Sequence, residues 1–483
     1  MAPMHPEQVA ATEPLLGSAS AASATSDNEG DEERGANSRT PTAPTAGGAA
    51  SLGASLANIL ISVLGAGQLT LPYVMGQCGL VLGILLLVLF AGVAVYSSEL
   101  LRALATATKS ATYGDVMAKT LGPQWRGWSN GIVSLYAFGT AVSFMIIMVE
   151  ELHRIVDFFD PMRVHASVPW EENKRLLLVL VTVTIVYPLS LLRDLRALRF
   201  TSTFGAVAAV YMTAVVWVYA PWRGGHTMDV CHGGEAGTAG SEAGIGSDSW
   251  SGFDGRWVGT DGSAPPQPPG AAPPRLRLWP ESAASISAAI PLLSFALNSG
   301  WAFVPIYSTM RNPTPRRGSV LIGWAHAVIL VNYLAMASVG YLSFCDGVMD
   351  NVVDSLPTTA VPVLIARVAL VLQLCCGLPL RFHVTAGVLL RPGSGSGVEA
   401  PERGERGGCA ALFGSWRWII VQTGLVSLSL LCACTVTELH IVIGLTAAIC
   451  ASCIIYIFPG LAYYQLVNAK PSAAVAAVVA VGV

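Results

Sequence analysis

An apolar stretch from Ile286 to Met310, ISAAIPLLSFALNSGWAFVPIYSTM, is long enough to cross a bilayer and is interrupted at its middle by Asn298, Ser299 and Gly300. Backbone N–H and C=O groups freed at that depth are costly unless protein, water or a ligand satisfies them, so such a break belongs beside a cavity. A second stretch repeats the pattern. In Ser55 to Met75, SLANILISVLGAGQLTLPYVM, the interruption is Gly65, Ala66 and Gly67. Gly67 stands five residues before Pro72, and Gly300 stands five before Pro305; Tyr73 and Tyr307 follow. Of the prolines inside apolar runs (Pro72, Pro188, Pro291, Pro305, Pro379 and Pro459), only these two have a glycine at that offset. Two interrupted apolar segments in corresponding positions of two halves point to the binding site of a secondary transporter.

The rest of the chain suits that reading. Charged residues make up 12% of the 483, half or less of the usual share of about 25%, and hydrophobic residues make up 53%. This is the composition of an all-α polytopic membrane protein. A net charge of −3, with no basic cluster interleaved with aromatics, argues against a nucleic-acid partner. Apolar runs predict spans at 52–76, 79–101, 129–150, 174–192 and 201–221, then at 282–309, 320–344, 360–390, 416–435 and 439–464. Residues 1–50 read as a disordered cytoplasmic tail and 222–281 as a long, disordered non-cytoplasmic loop. Residues 466–483 read as a tail or an incomplete eleventh helix, its apolar part being Ala473 to Val483. Arg102, Lys109, Lys119 and Arg126, then Arg193, Arg196 and Arg199, then Arg311, Arg316 and Arg317, fall in alternate connections, which places these and the N-terminus in the cytoplasm. Five spans per half make the second half an inverted repeat of the first, 51–221 against 282–465, with the breaks facing each other near the midplane. Of ten cysteines, only Cys231 and Cys345 fall in regions placed outside, where an oxidising compartment would let them pair. Cys450 and Cys453 form a CxxC in an apolar helix without a cationic neighbour, which reads as packing.

Four stretches resemble the amino acid/auxin permease family of the amino acid, polyamine and organocation transporters, above all its neutral amino acid branch that includes sodium-coupled members. LGAGQLTLPYVMGQCGLVLG is similar to the family's first-helix pattern, and YPLSLLRDLRALRFTSTFG to the junction of helices four and five. FVPIYSTMRNPTPRR with GYLSF resembles helices six and seven, while LPLRFHV and TELHIVIGLTAAICASCIIYIFPGLAYY resemble helices eight and ten. The resemblance implies a five-plus-five inverted-repeat fold with discontinuous first and sixth helices. Two departures bear on the coupling ion, which the resemblance implies is sodium or a proton. Sodium-coupled relatives tend to carry an Asn where this chain has Ile61, and a Thr in helix eight where it has Leu370 to Leu372 and Gln373. Hard cations want oxygen ligands, and isoleucine offers none.

An amino acid carries a carboxylate, an ammonium and a side chain. Exposed N–H groups at the start of a half-helix suit the carboxylate, which assigns Gly65, Ala66 and Gly67 to it. Unwound carbonyls and short polar side chains suit the ammonium, which assigns Ser62, Asn298 and Ser299, beside Gly300. Trp301 would wall the side-chain pocket. Tyr136 and Thr140 sit one turn apart on the third helix, which the resemblance implies crosses the site. His326, on a run of apolar neighbours about six residues into helix seven, is the candidate proton carrier, since histidine titrates near neutrality. Arg381 and His383 read as lying near the cytoplasmic end of helix eight, and Glu150, Glu151 and His153 as wet. No metal-ligand spacing, nucleotide loop or nucleophile and base pair stands out, so no cofactor, metal or enzymatic activity is expected. The leading function is secondary transport of small, mostly neutral amino acids in a plasma or vacuolar/endolysosomal membrane. The alternative is an amino acid sensor on the same fold.

Overall fold

A segment surrounded by hydrocarbon must satisfy its backbone polar groups internally, and so it forms helix. The computed structural model describes residues 50–159, 170–192, 199–219, 276–356, 360–390, 416–436 and 438–467, and these are almost entirely helical. The expectations for residues 1–49, for 222–275 including Cys231, and for the apolar tail from Ala473 lie outside the described residues.

Among the described residues, ten spans follow in order. The first is in three pieces, Leu52–Val63, Ala66–Leu69 and Leu71–Cys78. The second is Leu80–Thr108; a short helix, Tyr113–Leu121, leads to the third, Gln124–Phe159. The fourth runs through Trp170–Val181, a π-helical turn at Thr182–Val186 and Tyr187–Leu191; the fifth is Arg199–Tyr219. The sixth is broken into Ala283–Ala296 and Gly300–Ser308. Pro315–Phe344, Val361–Leu390 and Trp416–Thr435 are the seventh to ninth. The tenth starts at Leu439–Thr446, passes through π-helical turns Ala447–Ala451 and Cys453–Ile457, and ends in Phe458–Val467. The third span is 36 residues long, well beyond its predicted 129–150. Hydropathy finds only the part of a helix that meets hydrocarbon, whereas helical hydrogen bonding continues into the polar ends.

The first and sixth spans cross antiparallel. The leading piece of the first packs on the trailing piece of the sixth, and Leu71–Cys78 packs on Ala283–Ala296. Their crossing is tight at the breaks, where a Cβ on Gly67 would lie 2.6 Å from Ala296 Cα. The third and eighth spans pack along each other beside this pair. Interruptions elsewhere are satisfied by neighbours. Pro459 cannot donate to the carbonyl four residues back, Ile455. Ser97 Oγ of the second span donates to that carbonyl instead, and Tyr113 Oη donates to Ile454 O at 2.9 Å.

Both faces are tied shut. On the face where the chain enters, Ala50 N donates to Thr309 O at 3.2 Å and Arg311 N to Ala50 O at 2.8 Å, fastening the start of the first span to the end of the sixth. On the opposite face, the turn Val352–Ser355 lies over the ends of the third and eighth spans. Arg154 there pairs with Asp354 at 2.9 Å, and Arg367 Nη2 donates to Val353 O at 2.8 Å. The stretch 276–281 corrects the expectation of disorder for the end of the long loop. Arg277 O and Leu278 O accept the free N–H groups of Leu80 and Val81 at the start of the second span, at 2.9 and 3.2 Å. Gly79 (φ +77°) makes the approach possible, for a Cβ there would lie 2.6 Å from Leu278 C.

Candidate functional site

The two breaks meet in the interior: Gly65, Ala66, Gly67, Asn298, Ser299, Gly300 and Trp301 are all buried. At the first, Gly65 departs from helical geometry (φ −147°, ψ −137°) before the chain winds again from Ala66. The N–H groups of Gly65, Ala66 and Gly67 make no hydrogen bond among the described residues. The nearby carbonyls are occupied. Tyr333 Oη of the seventh span lies 2.9 Å from Val63 O and 2.8 Å from Ala296 O, so its single proton is shared between the two breaks. Gln373 Nε2 of the eighth span donates to Leu64 O at 2.8 Å.

The second break behaves alike. Asn298 Oδ1 accepts from Gly300 N at 3.2 Å, at the start of the trailing half-helix. Asn298 Nδ2 and Trp301 Nε1 are buried without a hydrogen-bond partner. Ser299 Oγ lies 3.2 Å from Ser98 Oγ and 3.3 Å from His326 Nε2. Ser62, half-buried, donates back to Asn58 O at 2.6 Å on its own helix, as helical serines do. Thr140 likewise donates to Tyr136 O at 2.7 Å. Tyr136 faces the second break, its ring 5.6 Å from that of Phe295 and 6.4 Å from that of Trp301. The structure thus gathers Gly65, Ala66, Gly67, Tyr136, Asn298, Ser299, Gly300 and Trp301 around one locus and leaves Ser62 and Thr140 at its edge, bonded to their own helices. The open groups identified there are donors, and the carbonyls of Val63, Leu64 and Ala296 already face Tyr333 or Gln373.

His326 is the twelfth residue of its span, because that helix starts at Pro315 rather than near 320. It is 4% exposed, and Nδ1 faces Ile322 O at 3.0 Å. A ring nitrogen opposite a carbonyl must donate, so in the neutral ring Nε2 is left to accept from Ser299. The histidine is therefore coupled directly to the break of the sixth span.

One residue escapes the sequence reading. Arg381, expected near water at the end of helix eight, is 5% exposed. Its Cζ lies 3.8 Å from the centroid of the Phe144 ring and 6.0 Å from that of Trp301. Phe144 also touches the first break: a Cβ on Gly65 would lie 3.2 Å from its Cζ. The signal that could have found it is length. The eighth span has 30 residues, about 45 Å of helix, against a hydrocarbon core of about 30 Å, so a residue two turns or more from its end can still lie inside. His383 is also buried, with Nε2 2.7 Å from Leu192 O and Nδ1 2.6 Å from Pro379 O. Cys345 is disulfide-bonded, while Cys231, its expected partner, lies outside the described residues. Cys450 and Cys453 are free thiols.

Comparison with known proteins agrees with this architecture. Residues 48–235 and 277–480 match the family described as transmembrane amino acid transporter protein. The chain is 24% identical over 431 residues to sodium-coupled neutral amino acid transporter 7 of Xenopus laevis, covering 87% of this chain and 82% of that protein. It is 25% identical over 467 residues to human sodium-coupled neutral amino acid transporter 4, covering 87% and 79%. A transporter family is not an enzyme class. With helices interrupted at its first and sixth spans and both halves matched by one family, the chain belongs to the transmembrane amino acid transporter family.

Proposed function

We propose that the chain is a secondary transporter of small, mostly neutral amino acids, working by alternating access around the two breaks. The observation that carries this is the donor-rich locus between antiparallel broken helices, where Gly65, Ala66 and Gly67 offer unengaged N–H groups to a carboxylate. Family membership supports an amino acid as cargo, and the names of the relatives at 24–25% identity support a neutral one. The buried breaks, tied shut at both faces, correspond to an occluded state. Opening then requires the Ala50 pairing to release on one face, or the turn Val352–Ser355 to leave Arg154 and Arg367 on the other. Basic residues clustered in alternate connections support a cytoplasmic N-terminus.

For the coupling ion we favour the proton. The side chain of Ile61 offers no oxygen, and the carbonyls of Val63 and Leu64 already face the Tyr333 hydroxyl and the Gln373 amide. His326, bonded to Ser299 in the second break, can take a proton at Nε2 and then donate to that hydroxyl, changing the break it touches. The test is uptake of labelled neutral amino acids into proteoliposomes of the purified protein, with proton and sodium gradients imposed separately. Proton-driven uptake that becomes gradient-independent exchange in His326→Gln is expected. Sodium-driven uptake would replace the proton, and binding without flux would make the chain a sensor.

A further inference from the structure

Two arginines of the eighth span are buried, and the chain treats them differently. Arg367 has Glu151 at 2.6 Å and two backbone carbonyls. Arg381 donates from Nη1 to Gly377 O of its own helix at 3.0 Å and, while Nε lacks a partner in both arginines, it alone of the two forms no ion pair among the described residues. Its charge rests on the face of Phe144, a contact much weaker than an ion pair in a place where charge is expensive. Trp301 Nε1 and Asn298 Nδ2, on the break beside it, are further buried donors without an acceptor. Phe144 packs on Gly65 with its edge and on Arg381 with its face, so the arginine shares a wall with the first break.

We propose that Arg381, flanked by Trp301, receives a carboxylate of the carried molecule. The inference rests on the transport reading above. Three unmatched donors and one unpaired cation call for an occupant with anionic oxygens. A carboxylate is planar and offers two acceptors, which matches the guanidinium fork. It would replace a cation lying on a ring by a neutral pair, and the ammonium of the same molecule must then point away from the arginine. The carboxylate is either the one common to all amino acids, held jointly with the N–H groups of the first break across Phe144, or that of an acidic side chain.

The test compares wild type, Arg381→Gln, Arg381→Lys and Trp301→Phe in proteoliposomes, with labelled alanine as cargo and alaninamide, glutamine and glutamate as competitors. In wild type, alaninamide should compete far less well than unlabelled alanine. In Arg381→Gln the KM for alanine should rise about tenfold to a hundredfold, and the discrimination against alaninamide should collapse. If instead the alanine KM holds while a wild-type preference for glutamate over glutamine disappears, the carboxylate received is that of the side chain. Arg381→Lys keeps the charge without the fork, and Trp301→Phe keeps an aromatic ring without the N–H, so each should produce a smaller rise. Should Arg381→Gln fail to elute as a folded species, these two variants decide. Wild-type KM and unchanged discrimination in the variants that fold overturn the proposal. If wild type binds alanine, read by tryptophan quenching, yet moves none, the transport reading fails and the same discrimination is read from the binding. Failure to bind any amino acid removes both.

Discussion

Arg367 is 1% exposed and Glu151, which faces it, is 0% exposed, although the sequence placed Glu151 in water at the end of its helix. The helix runs on to Phe159, which leaves Glu151 eight residues, about 12 Å of helix, inside its end. Asn351 Nδ2 donates to the second carboxylate oxygen at 3.0 Å, so both oxygens are engaged. Removing one partner of a buried pair strands the other charge. Arg367→Met should therefore destabilise the protein by about 3–5 kcal/mol, while the double change with Glu151→Gln should recover most of the loss. Thermal unfolding in detergent measures both; equal melting of the single and double variants would show that the pair does not set stability. Residue type alone could not separate Arg367 from Arg381, because only the fold determines which one meets a carboxylate.

At the scale of the element, the breaks were legible because glycine and short polar residues stand out within apolar runs. Which glycine limits the structure was not. Gly65 faces the ring edge of Phe144, which can turn, whereas Gly67 faces the backbone of Ala296, which cannot. Gly67→Ala should cost about 1–3 kcal/mol of stability by overpacking and abolish uptake by spreading the crossing. Gly65→Ala should retain measurable uptake, but Gly65→Val, with two further methyl groups against Phe144, should lose it with little loss of stability. The comparison is made by melting temperature and uptake on the same preparations; a harmless Gly67→Ala would mean that the crossing is looser than its 2.6 Å approach implies. The π-helical turns of the tenth span were not legible at all. In the second of them, Ser97 and Tyr113, more than 300 residues away in sequence, donate to the carbonyls of Ile455 and Ile454.

For the whole molecule, the transport reading predicts that closure of the face bearing Val352–Ser355 depends on pH through Asp354. Burial, and then the neighbouring Glu151 carboxylate, raise its carboxyl from the usual range to about 7, against the pull of Arg154 and Arg367. A carboxyl whose pKa is raised in the closed form binds a proton on closing. Its contribution to closure is therefore present at low pH and lost as pH rises through about 7. Hydrogen exchange of residues 349–356, corrected for intrinsic rates, should be slower at pH 5.5 than at pH 8, the difference shrinking in Asp354→Asn; an equal or opposite trend would remove Asp354 from the latch. The sequence by itself determined the class of molecule and its plan: ten apolar runs, two matched interruptions and five spans per half, because hydrocarbon leaves a backbone so few choices. It also placed Gly65 to Gly67 and Asn298 to Trp301 at the centre. Only the tertiary structure decided which polar groups remain open there. Whether a carbonyl is free depends on side chains arriving from distant spans, Tyr333 and Gln373, and whether a buried arginine is paired depends on which helix packs against it.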